Sequence, residues 1–138
     1  MQIVGYRPHG ERHETDSLYM FLADEVVDFL RSEAAGANRK HVTKVGHTLD
    51  NIRRNGLHGM SNNTLFVREG RFSSGQPGMS DVAVYAVKAF QVRVYGGIVR
   101  VDGQSAFLCT EGAIKQRDKA DRAQLERVAK TLGKYNER

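Results

Sequence analysis

An Asp-Gly dipeptide at 102–103 divides two apolar, β-branched runs, Ile98-Val99-Arg100-Val101 before it and Ser105 to Thr110 after it. Such a pair tolerates the left-handed φ values that a two-residue hairpin demands, so the chain is predicted to double back here as antiparallel strands. Two further segments carry the same texture, Val82 to Val87 and Gln91 to Tyr95. Their β-branched and aromatic content favours a pleated, half-buried surface. Gly96-Gly97 interrupts the run between Tyr95 and Ile98 and predicts a bulge or a tight turn. Residues 82–110 therefore read as a small antiparallel sheet.

The first half of the chain has a different period. Gln2 to Tyr6 reads as a short strand closed by Pro8, and Gly10 to Asp16 contains no apolar residue. A helix is predicted next, capped at Thr15, Asp16 or Ser17, with Leu18, Leu22, Val26, Phe29 and Leu30 on one stripe. Ala34-Ala35-Gly36 ends it. Asn38 then caps a second helix whose inner stripe is Val42, Val45, Leu49 and Ile52. Its outer face holds Arg39, Lys40, Lys44, Arg53 and Arg54, and Asn55-Gly56 stops it. Two helices with so short a link are expected to pack as a hairpin. Residues 59–81, rich in Gly, Ser and Asn, read as a flexible loop or insertion with a brief strand at Leu65-Phe66-Val67. Asp118 to Leu132 reads as a last helix, with Leu125, Val128, Ala129 and Leu132 inward and Gly133 as its terminator.

Helices followed by strands indicate an α+β fold. The expected architecture is a helical hairpin packed on one face of a small twisted antiparallel β-sheet, with a C-terminal helix. The 138 residues fit a single domain, 1–138. A chain of this length buries enough surface to fold without staples, and its one cysteine, Cys109, excludes an internal disulfide. No apolar run approaches the roughly 20 residues of a membrane span, and the opening residues lack the apolar stretch of a secretory signal. A cytoplasmic protein with no membrane partner is expected.

Charge points to the partner. Lys and Arg number 21 against 16 acids, a net charge of +5. Such an excess favours polyanions, because each phosphate met by a cation releases a counterion; net charge also serves solubility alone. The motifs of dinucleotide, P-loop, serine-hydrolase and zinc-protease sites are all missing. His9 and His13 are spaced i, i+4 but lie in a Pro/Gly-flanked stretch with no third ligand in view, so no metal site is assigned. Cys109 sits in the apolar stretch Ala106-Phe107-Leu108-Cys109 and reads as a buried structural thiol.

After Cys109 the apolar strand runs out into Lys115, Arg117 and Lys119, spaced by two. If the strand continues, the three cations line one face; a solvated connector to the last helix accounts equally well for the spacing.

Two pieces of this text resemble the RelE/ParE superfamily of toxins from type II toxin–antitoxin systems, including its phage-derived HigB-like branches. Gln91-Val92-Arg93-Val94-Tyr95 is similar to the family's central strand, in which an Arg precedes apolar residues and a Tyr. Lys115-Gln116-Arg117-Asp118-Lys119-Ala120 is similar to the family's Lys-rich exit from the last strand. The order of elements also looks alike from about Leu18 onward, and the resemblance is specific from Val84 to Asp121. It implies a growth inhibitor neutralised by a cognate antitoxin, often a helix-turn-helix protein. Many RelE-like members cleave mRNA on the ribosome without a metal or cofactor, the ribose 2′-OH acting as nucleophile.

The resemblance assigns residues as well. Arg93 corresponds to a phosphate or transition-state contact, and Lys88 lies where the family often places a catalytic Lys. Lys115 and Arg117 match the basic exit. Tyr95 matches the strand Tyr, with a plain core aromatic as the other reading. The family's late aromatic or His has one candidate here, Tyr135. Arg53, Arg54 and His58, at the end of the second helix, are expected to contact RNA backbone together with Lys119; a solvated helix end is the alternative for the first three. The same scaffold also serves non-enzymatic ParE-type gyrase poisons. A basic, phage-derived nucleic-acid-binding protein without chemistry is a third reading.

Overall fold

A computed structural model describes residues 1–60, 64–115 and 121–137. The elements in chain order are β1 (Tyr6–Pro8), β2 (Tyr19–Ala23), α1 (Asp24–Ala34), α2 (Arg39–Asn55) and a 3-10 turn (Leu57–Met60). They continue as β3 (Phe66–Phe72), β4 (Val82–Ala89), β5 (Val92–Val101), β6 (Gln104–Ile114) and α3 (Arg122–Tyr135). The fold is α+β, and the six strands form one sheet in the order β1-β2-β6-β5-β4-β3.

The sheet is mixed rather than wholly antiparallel, because β2 runs parallel to β6. This difference follows from the first helix starting late. Tyr19 to Ala23 was expected as helix, on the spacing of Leu18 and Leu22, but it is a strand with four of its five residues buried. A strand covered on both faces is apolar at every position, and a short run of that kind fits strand and helix equally in sequence. Helix α1 begins only at Asp24, with Asp24 and Glu25 in its first turn, where acids favour the positive end of the helix dipole.

Helices lie on both faces of the sheet, α1 and α2 on one and α3 on the other. Val26 of α1 and Val45, Leu49 and Ile52 of α2 pack on Val87, Val92, Val94, Phe107 and Cys109. Leu125, Val128, Ala129 and Leu132 of α3 pack on Val84, Ala86, Tyr95, Val99 and Leu108 from the other side. Alternation along β4 and β5 sends neighbouring residues to opposite cores, as the pleat requires. Each fully buried aliphatic side chain contributes about 1.5–3 kcal/mol.

The β5–β6 hairpin turns at Asp102-Gly103 with φ of 52° and 72°, as the dipeptide predicts. The register shifts between Tyr95, opposite Glu111, and Gly96, opposite Cys109. The extra residue is thus Thr110 on β6, and the double glycine marks where β5 meets that bulge. A Cβ on Gly96 would lie 2.0 Å from the Leu108 carbonyl oxygen, so no larger residue fits. Gly133 does not end α3 but lies inside it, where a Cβ would come within 2.4 Å of the Ser74 carbonyl oxygen. Its smallness serves packing against the β3–β4 loop. That loop region also holds more structure than expected, since β3 runs for seven residues along β4.

Candidate nucleic-acid interface

Strand pairing brings three of the expected residues onto one face. Lys88 on β4 is directly opposite Arg93 on β5, and Arg93 is directly opposite Ala113 on β6. Lys115 lies two residues beyond Ala113, and its N–H donates to the Gln91 carbonyl at 2.7 Å, which keeps it in register past the strand end. Opposed residues share a face, with Cβ atoms about 5 Å apart, and diagonal neighbours are about 7–8 Å apart. Lys88, Arg93 and Lys115 thus form a compact cationic group on the α3 side of the sheet. Arg117 and Lys119 lie outside the described residues.

All three cations are half-buried. Neither Lys88 nor Arg93 forms an ion pair with a described residue. The Arg93 guanidinium bends back to the strand end, where Nη1 donates to the carbonyls of Phe90 and Val92. Its Nε is buried with no hydrogen-bond partner among the described residues. A buried, unsatisfied donor on a cation carries a desolvation cost that an incoming anion would relieve.

Tyr95 is 2% exposed and belongs to the core under α3. Burial pushes its phenol above the ordinary value, the Glu69 carboxylate adds to this, and Arg93 opposes it. It is held neutral, which does not suit a proton acceptor at neutral pH. Tyr135 is at the wrong end of α3. Its ring meets Tyr6 edge-on at 5.2 Å, and the next residues bond to the far end of β5, Asn136 and Glu137 to Arg100. From Asp121 to Tyr135 the helix spans about 20 Å, and Asp121 marks the end near Arg93.

Two carboxylates that sequence reasoning passed over neighbour Tyr95 instead. Glu111 is directly opposite Tyr95 and one diagonal step from Arg93. Arg127 of α3 holds it in a fork at 2.8 and 3.0 Å, and Gln124 donates to it at 3.4 Å. Glu69 sits at the irregularity in β3, between Arg68 and Gly70 in the register with β4, and is near enough to raise the Tyr95 phenol. Bulges re-aim side chains in this way next to active sites. No spacing signal in the sequence joins Glu69 to Tyr95; only the strand order does.

Arg53 is not a free cation for RNA. It is 7% exposed, and its guanidinium donates to Asp16 at 3.2 Å, Asp50 at 2.8 Å and the His9 carbonyl at 2.8 Å. It ties the segment before β2 to α2. His9, the first of the spaced histidines, is likewise engaged, with Nε2 3.1 Å from Asp50. Arg54 and His58 are exposed, but Arg54 stands at the C-terminal end of α2, and no strand pairing brings either beside Arg93. Cys109 is fully buried, and burial raises its thiol far above the ordinary value.

No family model, curated protein or solved structure matches this chain.

Proposed function

We propose that the protein is a growth-inhibiting toxin of the RelE/ParE type, an mRNA endoribonuclease working without a metal, and the partner of a neutralising antitoxin. The observation that carries this reading is the convergence of Lys88, Arg93 and Lys115 on one face, with a buried guanidinium N–H lacking a partner. The order of two strands, two helices, four antiparallel strands and a helix supports the resemblance, in which α1 and α2 would form the helical hairpin.

In this reading the three cations hold the phosphates on either side of the scissile bond. The ribose 2′-OH attacks the adjacent phosphorus, and charge building on the phosphoryl oxygens is stabilised by Arg93 and Lys88. The 2′-OH proton passes to a carboxylate, and Glu69 is the candidate because Arg127 already occupies Glu111. The 5′-oxygen leaves as a hydroxyl by taking a proton from solvent water, Glu69 returns its proton to solvent, and a 2′,3′-cyclic phosphate remains.

One observation favours binding without cleavage. Tyr95, although next to Arg93 on the same face, is buried, and Tyr135 is remote, so no aromatic group of the family pattern is open to act as acid or base at the cations. Induced expression in a bacterium separates the readings. Growth arrest with fragmented mRNA and intact gyrase supercoiling is expected. Arrest with intact transcripts and lost supercoiling would select the gyrase poison, and normal growth with abundant soluble protein would remove both toxin readings.

A further inference from the structure

The tip of the β4–β5 hairpin carries an aromatic residue where glycine is the ordinary choice. Ala89 pairs with Val92, so the turn consists of Phe90 and Gln91. Phe90 has a φ of 52°, and Gln91 is not left-handed. A two-residue hairpin with only its first residue left-handed takes Gly there, and a bulky residue in that region is a conformational outlier. Phe90 is also 67% exposed. A strained, solvated phenylalanine loses free energy both ways, and a single ring contact within this chain does not return all of it.

Its surroundings say what would. One side of the ring stacks on His41, with centroids 5.0 Å apart and planes at 27°; the high exposure leaves the other side open. His41 belongs to the first turn of α2, which has no acidic residue, whereas Arg39, Lys40 and Lys44 are exposed there. Cations at a helix N-terminus oppose the dipole and destabilise the free protein, and they combine with it to attract an anion. From the sheet side, Arg93 Nη1 donates to the Phe90 carbonyl, with Lys88 opposite Arg93. The open aromatic face thus stands between two cationic groups, one on each side of the sheet end. A second copy of this chain would bring like charges together at this tip.

We propose that Phe90 is a base-stacking residue. It takes the face of one unpaired base of a single-stranded RNA whose backbone runs past Arg39, Lys40 and Lys44 and past Lys88 and Arg93. The choice of RNA rests on the function proposed above, which it deepens by fixing the substrate as unpaired at this point. Stacking suits any base, because each has a π-face, while the cations hold the phosphates without reading sequence.

The chain contains no tryptophan, so Phe90→Trp introduces a single fluorescent reporter at the tip. The probe is a short 2′-O-methyl oligouridine, which cannot supply a 2′-OH nucleophile and so reports binding alone. The expected result is strong quenching of Phe90→Trp emission on binding, with native-like affinity. Phe90→Ala should lose about tenfold in affinity for the same probe. Phe90→Gly should lose as much while melting no lower than the native protein, since glycine relieves the left-handed strain. Inorganic polyphosphate should bind all four proteins equally and leave the emission unquenched. Oligouridine binding without quenching, at an affinity unchanged in Phe90→Ala, would overturn the stacking role and leave the RNA reading standing. No binding of oligouridine to the native protein at low salt would overturn both.

Discussion

Lys88 and Arg93 are directly opposed across β4 and β5, two like charges on one face of neighbouring strands. Such a pair is unfavourable in the free protein by roughly 0.2–1 kcal/mol relative to a neutral pair. Neither side chain is offset by an ion pair with a described residue, and Arg93 additionally buries an unpartnered Nε. The arrangement has a stability cost, and in the proposed function it concentrates charge where a phosphate would enter.

Removing one of the two charges should therefore stabilise the fold. Lys88→Thr introduces a β-branched residue suited to a strand and eliminates the repulsion. Its melting temperature should rise by a degree or more, the shift expected for a few tenths of a kcal/mol in a domain of this size. Its growth-inhibitory activity should fall. A lower melting temperature would show that Lys88 has a stabilising partner and is not poised for a ligand.

Arg93→Ala tests the site at its centre. Loss of one preorganised donor to a developing phosphoryl charge typically costs about a hundredfold or more in rate. The variant should be non-toxic while its circular-dichroism melt stays close to native. Lys134→Ala, which removes an exposed charge near the far end of α3, is the charge-matched control and should remain toxic. A fully toxic Arg93→Ala with an unchanged melt would displace the site from this face.

Glu69→Gln separates proton transfer from binding. The amide keeps the size of the carboxylate but cannot accept a proton at neutral pH. Cleavage should fall about a hundredfold or more, within the range for loss of a positioned general base. Binding to a non-cleavable oligonucleotide should hold or tighten slightly as a negative charge leaves the protein. Equal losses in binding and cleavage would make Glu69 a structural residue.

How far these positions were legible depended on distance along the chain. The hairpin at Asp102-Gly103, the second helix and the inward stripe of α3 follow local rules, and each is found where those rules place it, although the Asn38 side chain donates to Glu33 and does not cap the helix. Lys88 and Arg93 share a face because a two-residue turn joins their strands, so their meeting was also within reach. The strand at Tyr19–Ala23 was not, because its apolar run gives the same pattern whether coiled or extended. Arg53 was misplaced because a charged residue near a helix end looks solvated in sequence. The chain that buries it, His9 to Asp16, lies 37 or more positions away. Glu69 carried no signal at all, since its relation to Tyr95 depends on β3 being the strand beside β4.

Gly96→Ala addresses the packing behind the site. Its Cβ would sit 2.0 Å from the Leu108 carbonyl oxygen and 3.0 Å from Cys109 Cα, both backbone atoms that cannot swing aside. The hairpin would have to part at the bulge that places Glu111 opposite Tyr95. A loss of about 3 kcal/mol, the upper part of the usual range for overpacking, is expected in chemical denaturation. Loss of activity should accompany it even where the protein still folds. Near-native stability would mean that β5 and β6 are further apart at this point.

Acid sensitivity should trace to Asp16. Its carboxylate accepts from the His13 backbone N–H at 2.9 Å and from Arg53 Nε at 3.2 Å. The hydrogen bond from His13 leads in holding its pKa below the usual aspartate value, with Arg53 adding to the effect against a desolvation cost. A carboxyl depressed in the folded state is stabilising at every pH above its unfolded value. That contribution is lost as pH falls through the unfolded value and on through the folded one, because the unfolded chain takes up the proton first. The melting temperature should therefore be insensitive to Asp16 between about pH 5 and 8 and drop below about pH 4. Asp16→Asn keeps an oxygen for the His13 N–H but no charge for Arg53. It should melt lower than the native protein at neutral pH, and the gap should narrow steadily on acidification as the native carboxylate is neutralised. Thermal melts of both proteins across that range make the comparison. Parallel curves, with a constant gap down to the lowest pH, would assign the acid limb to other carboxylates.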